Sequence, residues 1–334
     1  MWKSLAVTSM LTIALVTPAY VVALEAPATE KSLAEQLVDA FNRVFGVHPG
    51  TRANHAKGVV LEGGFTPNAS ATTVSKAAHL QKRKTPVPVT VRFSDGSGLP
   101  TVPDTDEMPR GMAVKFSLPD GSKTDIVVLS FNGFPVATAE EFRDFLLAIG
   151  ASGPDAPKPT AFEKFLGAHP AAKAFVEAPK PPPVSYATLP YFGINSFKFT
   201  NAKGVATLVR YQLQPLAGAQ HLTKEQVSTM GPDYLTNEIR ERVRRSPIKF
   251  KLLVQVAERD DKVDDPTIAW PDTRKKVELG TITITKAVAD SQAAEKKLLF
   301  MPGAVVPGIE AADPMIAARS AAYIVSLSRR AQAQ

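Results

Sequence analysis

Two blocks of short β-rich runs, separated by a helical stretch, limit what this chain can fold into more than any other feature. In the first block Val59 to Leu61, Val87 to Phe93, Met112 to Phe116 and Asp125 to Ser130 are rich in apolar and β-branched residues. Turn residues such as Asp95-Gly96 and Pro119-Asp120-Gly121 separate them. The second block holds Ser196 to Thr200, Val205 to Leu213, Lys249 to Ala257 and Leu279 to Thr285, with a hairpin turn over Asn201 to Gly204. Together they supply roughly eight strands, which fits one closed antiparallel barrel.

Helical spacing fills the rest. Leu33, Leu37, Val38, Phe41, Val44 and Phe45 recur on one face of a helix over Lys31 to Phe45, which ends at Gly46. Further helices are expected over Glu140 to Ile149, Ala161 to Glu177 and Thr223 to Arg244, with Pro-rich surface loops over Gly153 to Pro159 and Pro179 to Pro183. A terminal helix begins near Asp313, an N-cap ahead of Pro314 in the first helical position, and runs to about Arg329. The fold class is therefore α+β, an antiparallel eight-stranded β-barrel with peripheral helices.

The N-terminus reads as a leader. Lys3 gives a minimal positive region, Leu5 to Val16 an apolar one, Pro18 a break, and Val21-Val22-Ala23 small residues before a cut. Pro18, Thr8, Ser9 and Thr12 make the stretch a poor membrane anchor. Residues 1–23 are expected to be a signal peptide, with a second possible cut after Ala28, and 24–334 one periplasmic or secreted domain with no membrane attachment after cleavage. A formal net charge of +7 invites nucleic acid, but the Lys and Arg are dispersed with no basic run among aromatics, so no nucleic-acid partner is expected. There is no cysteine, which excludes disulfides and thiolate ligands and leaves His, Tyr, Met and carboxylates for any metal.

Within the terminal helix, Arg319 and Tyr323 are four residues apart and share one face, with Arg330 two turns further on. A fixed positive charge beside a phenol favours the ionised oxygen, which suits ferric iron. Taken bare, the pair is weak evidence, since a lone Tyr with a helical Arg neighbour is far more often a core or surface contact. Its setting narrows the reading. Pro307-Gly308-Ile309-Glu310, followed by Asp313, Met315, Arg319 and Tyr323, resembles the proximal haem segment of the haem catalase family, and Phe300-x-Pro302 ahead of it matches too. The likeness is to the small catalase-related peroxidases of that family. It implies haem b with Tyr323 as axial iron ligand, Arg319 as its charge partner and Arg330 at a haem propionate.

The distal half of the same resemblance lies near the N-terminus. Arg52-Ala53-Asn54-His55-Ala56-Lys57-Gly58 is similar to the family's distal segment, which makes His55 the acid-base residue. Such an imidazole takes a proton from one oxygen of hydrogen peroxide and returns it to the other. His48, His79, His169 and His221 lie outside any such motif and are read as structural or surface residues. Val91-Arg92-Phe93-Ser94 and Pro109 to Phe116 resemble two further family segments. They imply that Ser94 bonds the His55 nitrogen facing away from the haem, and that Arg52 and Arg92 join Arg330 at the propionates. Gly231 to Leu235, Lys251 to Val256 and Ile268 to Pro271 extend the likeness along nearly the whole mature chain.

Two positions depart from the pattern. Larger catalases carry a distal Asn after a strand reading D-L-V, and aligning Phe134 and Phe142 on the family's haem-side phenylalanines puts Ser130 there. Asn132 reaches that position only with a two-residue gap. Asn54 stands where an apolar residue is usual, and can hold water near the iron. Little sequence follows Arg330, so the long wrapping segments of larger members are not expected, and the pocket should be more open. The expectation is a peroxidase that reduces hydrogen peroxide or organic peroxides with a small organic electron donor and releases little oxygen, as a monomer or homodimer. Its rivals are true catalase, rearrangement of fatty-acid hydroperoxides, and a non-catalytic periplasmic haem-binding protein.

Overall fold

Alternation along the β-rich runs turns one set of side chains inward, and the strands close around them. The computed structural model describes residues 30–332; the expected signal peptide lies outside these residues. The first block forms β1 (Gly58–Pro67), β2 (Val87–Asp95), β3 (Arg110–Ser117) and β4 (Lys123–Leu129), an antiparallel meander. The second forms β5 (Tyr191–Phe192), β6 (Phe197–Thr200), β7 (Ala206–Pro215), β8 (Ile248–Val256) and β9 (Lys276–Ala287), with β10 (Ile309–Ala311) nearer the C-terminus. Pairing of β4 with β5, β5 with β7, β7 with β8, β8 with β9 and β9 with β1 closes a ring of eight strands. The remaining two extend it: β6 shares an edge of β7 with β5, and β10 adds to β6.

The eight-stranded antiparallel barrel with helices is thus as the sequence pattern predicts. Val87, Val89, Val91 and Phe93 on β2 alternate toward the interior, where they meet Val114 and Phe116 of β3 and Phe250 of β8. At roughly 25 cal/mol per Å² of apolar surface, each such fully buried aliphatic or aromatic side chain stabilises the fold by about 1.5–3 kcal/mol. One irregularity is required. A Cβ on Gly63 would lie 2.1 Å from the Thr283 carbonyl oxygen, so only glycine lets β1 press on β9 where their register shifts.

Helices among the described residues are α1 (Leu33–Phe45), α2 (Ala71–Val74), α3 (Ala139–Gly150), α4 (Ala161–Ala168), α5 (Pro170–Glu177), α6 (Lys224–Val227), α7 (Tyr234–Arg245), α8 (Ser291–Lys297) and α9 (Met315–Gln332). Capping boxes at Ser32/Glu35 and Thr138/Glu141 fix the starts of α1 and α3. Asp313 Oδ1 accepts from the Met315 N–H at 2.9 Å, the cap expected for α9. Two expected long helices are each two short ones. Pro170 has no N–H to continue α4 and opens α5 instead, and Gly231-Pro232 separates α6 from α7. Leu37 and Val38 of α1, Ala139 of α3 and Ala322 of α9 pack together, making a helical layer that faces part of the barrel's outer surface.

Candidate active site

Between β2, β3 and β4 on one side and α1, α3 and α9 on the other lies a cavity of about 1240 Å³ of atom-free space, counting its open mouth. Its walls are largely apolar, with Leu37, Phe41, Leu129, Phe134 and Phe142 among them. Arg52, Asn54, His55, Arg92, Ser94, Phe142, Arg319, Tyr323 and Arg330, nine of the ten residues singled out in the sequence, all line it. Almost the whole length of the domain separates the first from the last.

β2 sets one pole. Val91 and Phe93 point into the barrel, so the alternate residues Arg92 and Ser94 point to the cavity. His55 Nδ1 lies 3.0 Å from Ser94 Oγ. When Nδ1–H donates to the hydroxyl oxygen, the lone pair is on Nε2. Burial, reinforced by the charges of Arg92 and Arg319, pushes the His55 pKa down to about 3, so the ring is neutral and able to accept a proton at any ordinary pH. Its backbone is left-handed, φ 53°, and Arg92 Nη2 holds it there by donating to the His55 carbonyl at 2.9 Å.

Gly111 of β3 makes room for the ring. A Cβ there would come within 2.7 Å of Ser94 Oγ and 2.9 Å of His55 Nδ1. Gly111→Ala should therefore cost about 1–3 kcal/mol of stability, as overpacking does, and tilt the imidazole off Ser94. Urea unfolding together with the ring-proton NMR shifts of His55 would check both effects; unchanged shifts would sink the prediction.

α9 sets the other pole. Arg319 Nη2 donates to Tyr323 Oη at 3.1 Å across one helical turn. Arg319 Nη1 donates to Asn195 Oδ1, and Asn195 Nδ2 donates to Asp313 Oδ2 at 2.7 Å. The chain Asp313–Asn195–Arg319–Tyr323 fixes the guanidinium without neutralising it directly.

Three arginines gather at one rim. Arg52 Nη1 and Arg92 Nη2 each donate to Glu295 Oε2 at 2.8 Å, and Arg52 and Arg330 both donate to the Leu298 carbonyl at 2.8 Å. Burial, with Arg92 close by, lowers Arg330 to about 10, and burial likewise lowers Arg52 well below its ordinary value. Among the described residues one carboxylate faces three guanidiniums, leaving two positive charges uncompensated, and the buried Nε atoms of Arg92 and Arg330 have no hydrogen-bond partner there. The rim is built for a group carrying two negative charges.

Residues 35–333 match the Catalase family. The chain belongs to the catalase family. It is 35% identical to a catalase-related peroxidase of Synechococcus elongatus over 89% of this chain and 88% of that one. Likewise it is 36% identical to a catalase-related peroxidase of Mycolicibacterium paratuberculosis, over 89% of this chain and 94% of that one. Among solved structures a fungal catalase superposes with a TM-score of 0.75 at 23% identity, covering 88% of this chain and 61% of the fungal one, a likeness of fold.

One expected site residue is not brought to the cavity. Ser130 follows the last residue of β4, its N–H donates to the Arg110 carbonyl at 2.8 Å, and its Oγ accepts from the Arg110 N–H at 2.8 Å. Continued strand pairing thus turns the hydroxyl onto β3, and Val127, Val128 and Leu129 supply the cavity wall instead. Asn132 does not line it either. Asn54 does, and its buried Oδ1 has no hydrogen-bond partner among the described residues. Sequence reasoning missed Asn195 and Glu295, and read Asp313 as a helix cap and part of the proximal segment without its tie to Asn195. Asn195 sits in the short link between β5 and β6, and Glu295 on α8, an element with no apolar periodicity to announce it.

Proposed function

We propose that this oxidoreductase of the catalase family is a haem peroxidase. It reduces hydrogen peroxide or organic peroxides at the expense of a small organic donor, with weak release of oxygen. The observation that carries the reading is the convergence on one apolar cavity of a neutral His55 backed by Ser94, an Arg319–Tyr323 pair, and an arginine rim with two charges to spare. Haem b fits that donor set. Its two propionates match the two uncompensated charges of Arg52, Arg92 and Arg330, and Tyr323 Oη offers the iron an oxygen ligand beside a fixed cation. Among the described residues no group of three or more His, Asp or Glu side chains could hold a metal by itself.

Bound haem supplies a centre that peroxide oxidises by two electrons and the donor then returns to rest. The chain's own residues do the rest. His55 Nε2 would accept the proton of one peroxide oxygen and deliver it to the other, which leaves as water or an alcohol as the O–O bond breaks. A His55 Nδ1–H donated to Ser94 would leave Nε2 the basic nitrogen, Arg319 donates to Tyr323 Oη and would hold it toward the iron, and Phe134, Phe142 and Leu129 give the cavity an apolar wall that would exclude water.

The apolar end of β4 favours peroxidase over dismutation. Dismutation has to orient a second hydrogen peroxide, and Leu129 offers it no hydrogen bond. Oxygen evolution and dye peroxidation measured on one haem-loaded sample test this. Dye oxidation should be the faster by at least about ten-fold, and oxygen release far outrunning oxidation of every donor tried would make the protein a true catalase. Export to the periplasm or medium, by removal of residues 1–23, is part of the same proposal, and N-terminal sequencing of native protein that returned Met1 would end it.

A further inference from the structure

Among the described residues His55 alone has a left-handed backbone without being glycine, φ 53°, and its ring stays on Ser94 only while that turn is held. Past the turn the chain is fixed by the Ala56 N–H, which donates to the Ser97 carbonyl at 2.9 Å, and by the pairing of β1 with β2. At His55 and ahead of it two arginines supply most of the restraint. Arg92 Nη2 donates to the His55 carbonyl at 2.9 Å, with the Ala56 carbonyl at 3.3 Å. The guanidinium packs so tightly against the turn that a Cβ on Gly58 would lie 2.5 Å from Nη2 and 2.6 Å from Cζ. Three residues ahead of His55, Arg52 Nη2 donates to the Leu298 carbonyl at 2.8 Å, and the other tie there is a 3.3 Å bond from the Ala53 N–H to Ser326 Oγ.

Both arginines end on one atom. Arg52 Nη1 and Arg92 Nη2 donate to Glu295 Oε2 at 2.8 Å each, and the side chains of Arg52, Arg92 and Glu295 are 14%, 4% and 14% exposed. A guanidinium is a rigid planar fork, so an acceptor that fixes one of its nitrogens sets the direction of the rest. Two guanidiniums brought together with no anion between them would also repel. One carboxylate oxygen therefore sets the pose of both groups that grip the His55 turn.

Glu295 is itself held in place. At the start of α8, Asp290 Oδ1 accepts from the Ala293 N–H at 2.9 Å. Ser291 Oγ accepts from the Val60 N–H of β1 at 3.1 Å and from Arg240 Nη2 of α7 at 2.8 Å. Ser291 and Glu295 are four residues apart and share one face of α8, so the bonds that seat Ser291 on the barrel also aim Glu295 at the two arginines.

We propose that Glu295 is a positioning residue for the peroxide reaction, its Oε2 bracing the left-handed turn that carries His55 through Arg52 and Arg92. The proposal rests on the acid-base role given to His55 above. It gives the distal side a counterpart to the proximal chain, in which Asp313 reaches Tyr323 through Asn195 and Arg319. Glu295 then has two separable properties. Its charge offsets part of the arginine rim, and its acceptor oxygen, at the right reach, holds the turn. Glutamine keeps the reach and loses the charge, whereas aspartate keeps the charge and falls one methylene short.

Hydrogen exchange of the haem-loaded protein, compared with Glu295→Gln and Glu295→Asp, tests the brace without using peroxide. Amides 55–57 should exchange about ten-fold faster in Glu295→Asp than in the unmodified protein, and at the unmodified rate in Glu295→Gln. Amides 89–93 and 112–116, in the interiors of β2 and β3, should keep their protection in both. With diamagnetic zinc protoporphyrin in place of haem, the His55 ring-proton NMR shifts should move in Glu295→Asp and stay put in Glu295→Gln. Unchanged exchange in Glu295→Asp overturns the proposal. So does equal loss in both variants, which would make charge and not position the property that matters, or loss that spreads to β2 and β3, which would make Glu295 a general support of the fold. If exchange and shifts behave as stated while peroxide leaves the haem spectrum of the unmodified protein unchanged, the brace stands and the peroxidase reading falls.

Discussion

Replacing His55 with Gln should slow the reaction of the haem-loaded protein with peroxide by about 10²- to 10⁴-fold, the range that a positioned acid-base group contributes. Gln can still bond Ser94 but cannot take a proton from one peroxide oxygen and hand it to the other. Stopped-flow recording of the haem spectrum after mixing with peroxide reads the effect directly, because it isolates the first reaction from donor turnover. A rate within about ten-fold of the unmodified protein would remove His55 from the mechanism. Burial and the nearby arginines hold the His55 pKa near 3, so His55 itself imposes no acid limb on that rate until the pH approaches that value. The same depression affects stability with a definite sign. A histidine whose folded pKa is lowered from 6.5 contributes fully above the unfolded value and loses that contribution as pH falls toward 3. His79, buried and also lowered to about 3, acts in the same direction, so His55→Gln should flatten the acid decline of stability only in part.

The barrel was legible because its strands alternate: Val87, Val89, Val91 and Phe93 could not all face inward unless Arg92 and Ser94 faced out. That same alternation delivered two site residues, and helical spacing delivered Arg319 and Tyr323. The short elements were not legible. β5 has two residues and β10 three, too few for any period; β5 forms because the closing barrel offers it edges on β4 and β7, and β10 because β6 offers it one. Asn195, Asp313 and Glu295 belong to the site through contacts spanning 124, 118 and 203 residues of chain, which no local pattern encodes. Ser130 failed for a related reason. Aligning Phe134 and Phe142 fixed a position along the chain, but the direction of the hydroxyl was set by backbone pairing with Arg110, one residue past the end of β4.

Tyr323→Phe should abolish stable ferric haem binding, with haem content after purification falling below about a tenth of that of the unmodified protein, since an anionic oxygen ligand has no replacement on α9. The geometry also orders the effects of its neighbours. Arg319→Ala removes the 3.1 Å donor to Tyr323 Oη, and loss of such an outer partner costs about 10–100-fold in metal affinity. Asn195→Ala leaves Arg319 in place but frees it from Asn195 and Asp313, so its effect should be the smallest of the three while moving the haem absorption bands in the same direction. Phe is close in volume to Tyr and Tyr323 lies in the cavity wall, so Tyr323→Phe should leave thermal unfolding of the haem-free protein within about 1 kcal/mol. That comparison separates loss of a ligand from loss of the fold. An unchanged ferric spectrum in Tyr323→Phe would show that the iron is held elsewhere. The Arg52, Arg92 and Arg330 rim would then have to bind the macrocycle through its carboxylates alone, an outcome distinguishable because haem affinity would fall steeply with salt.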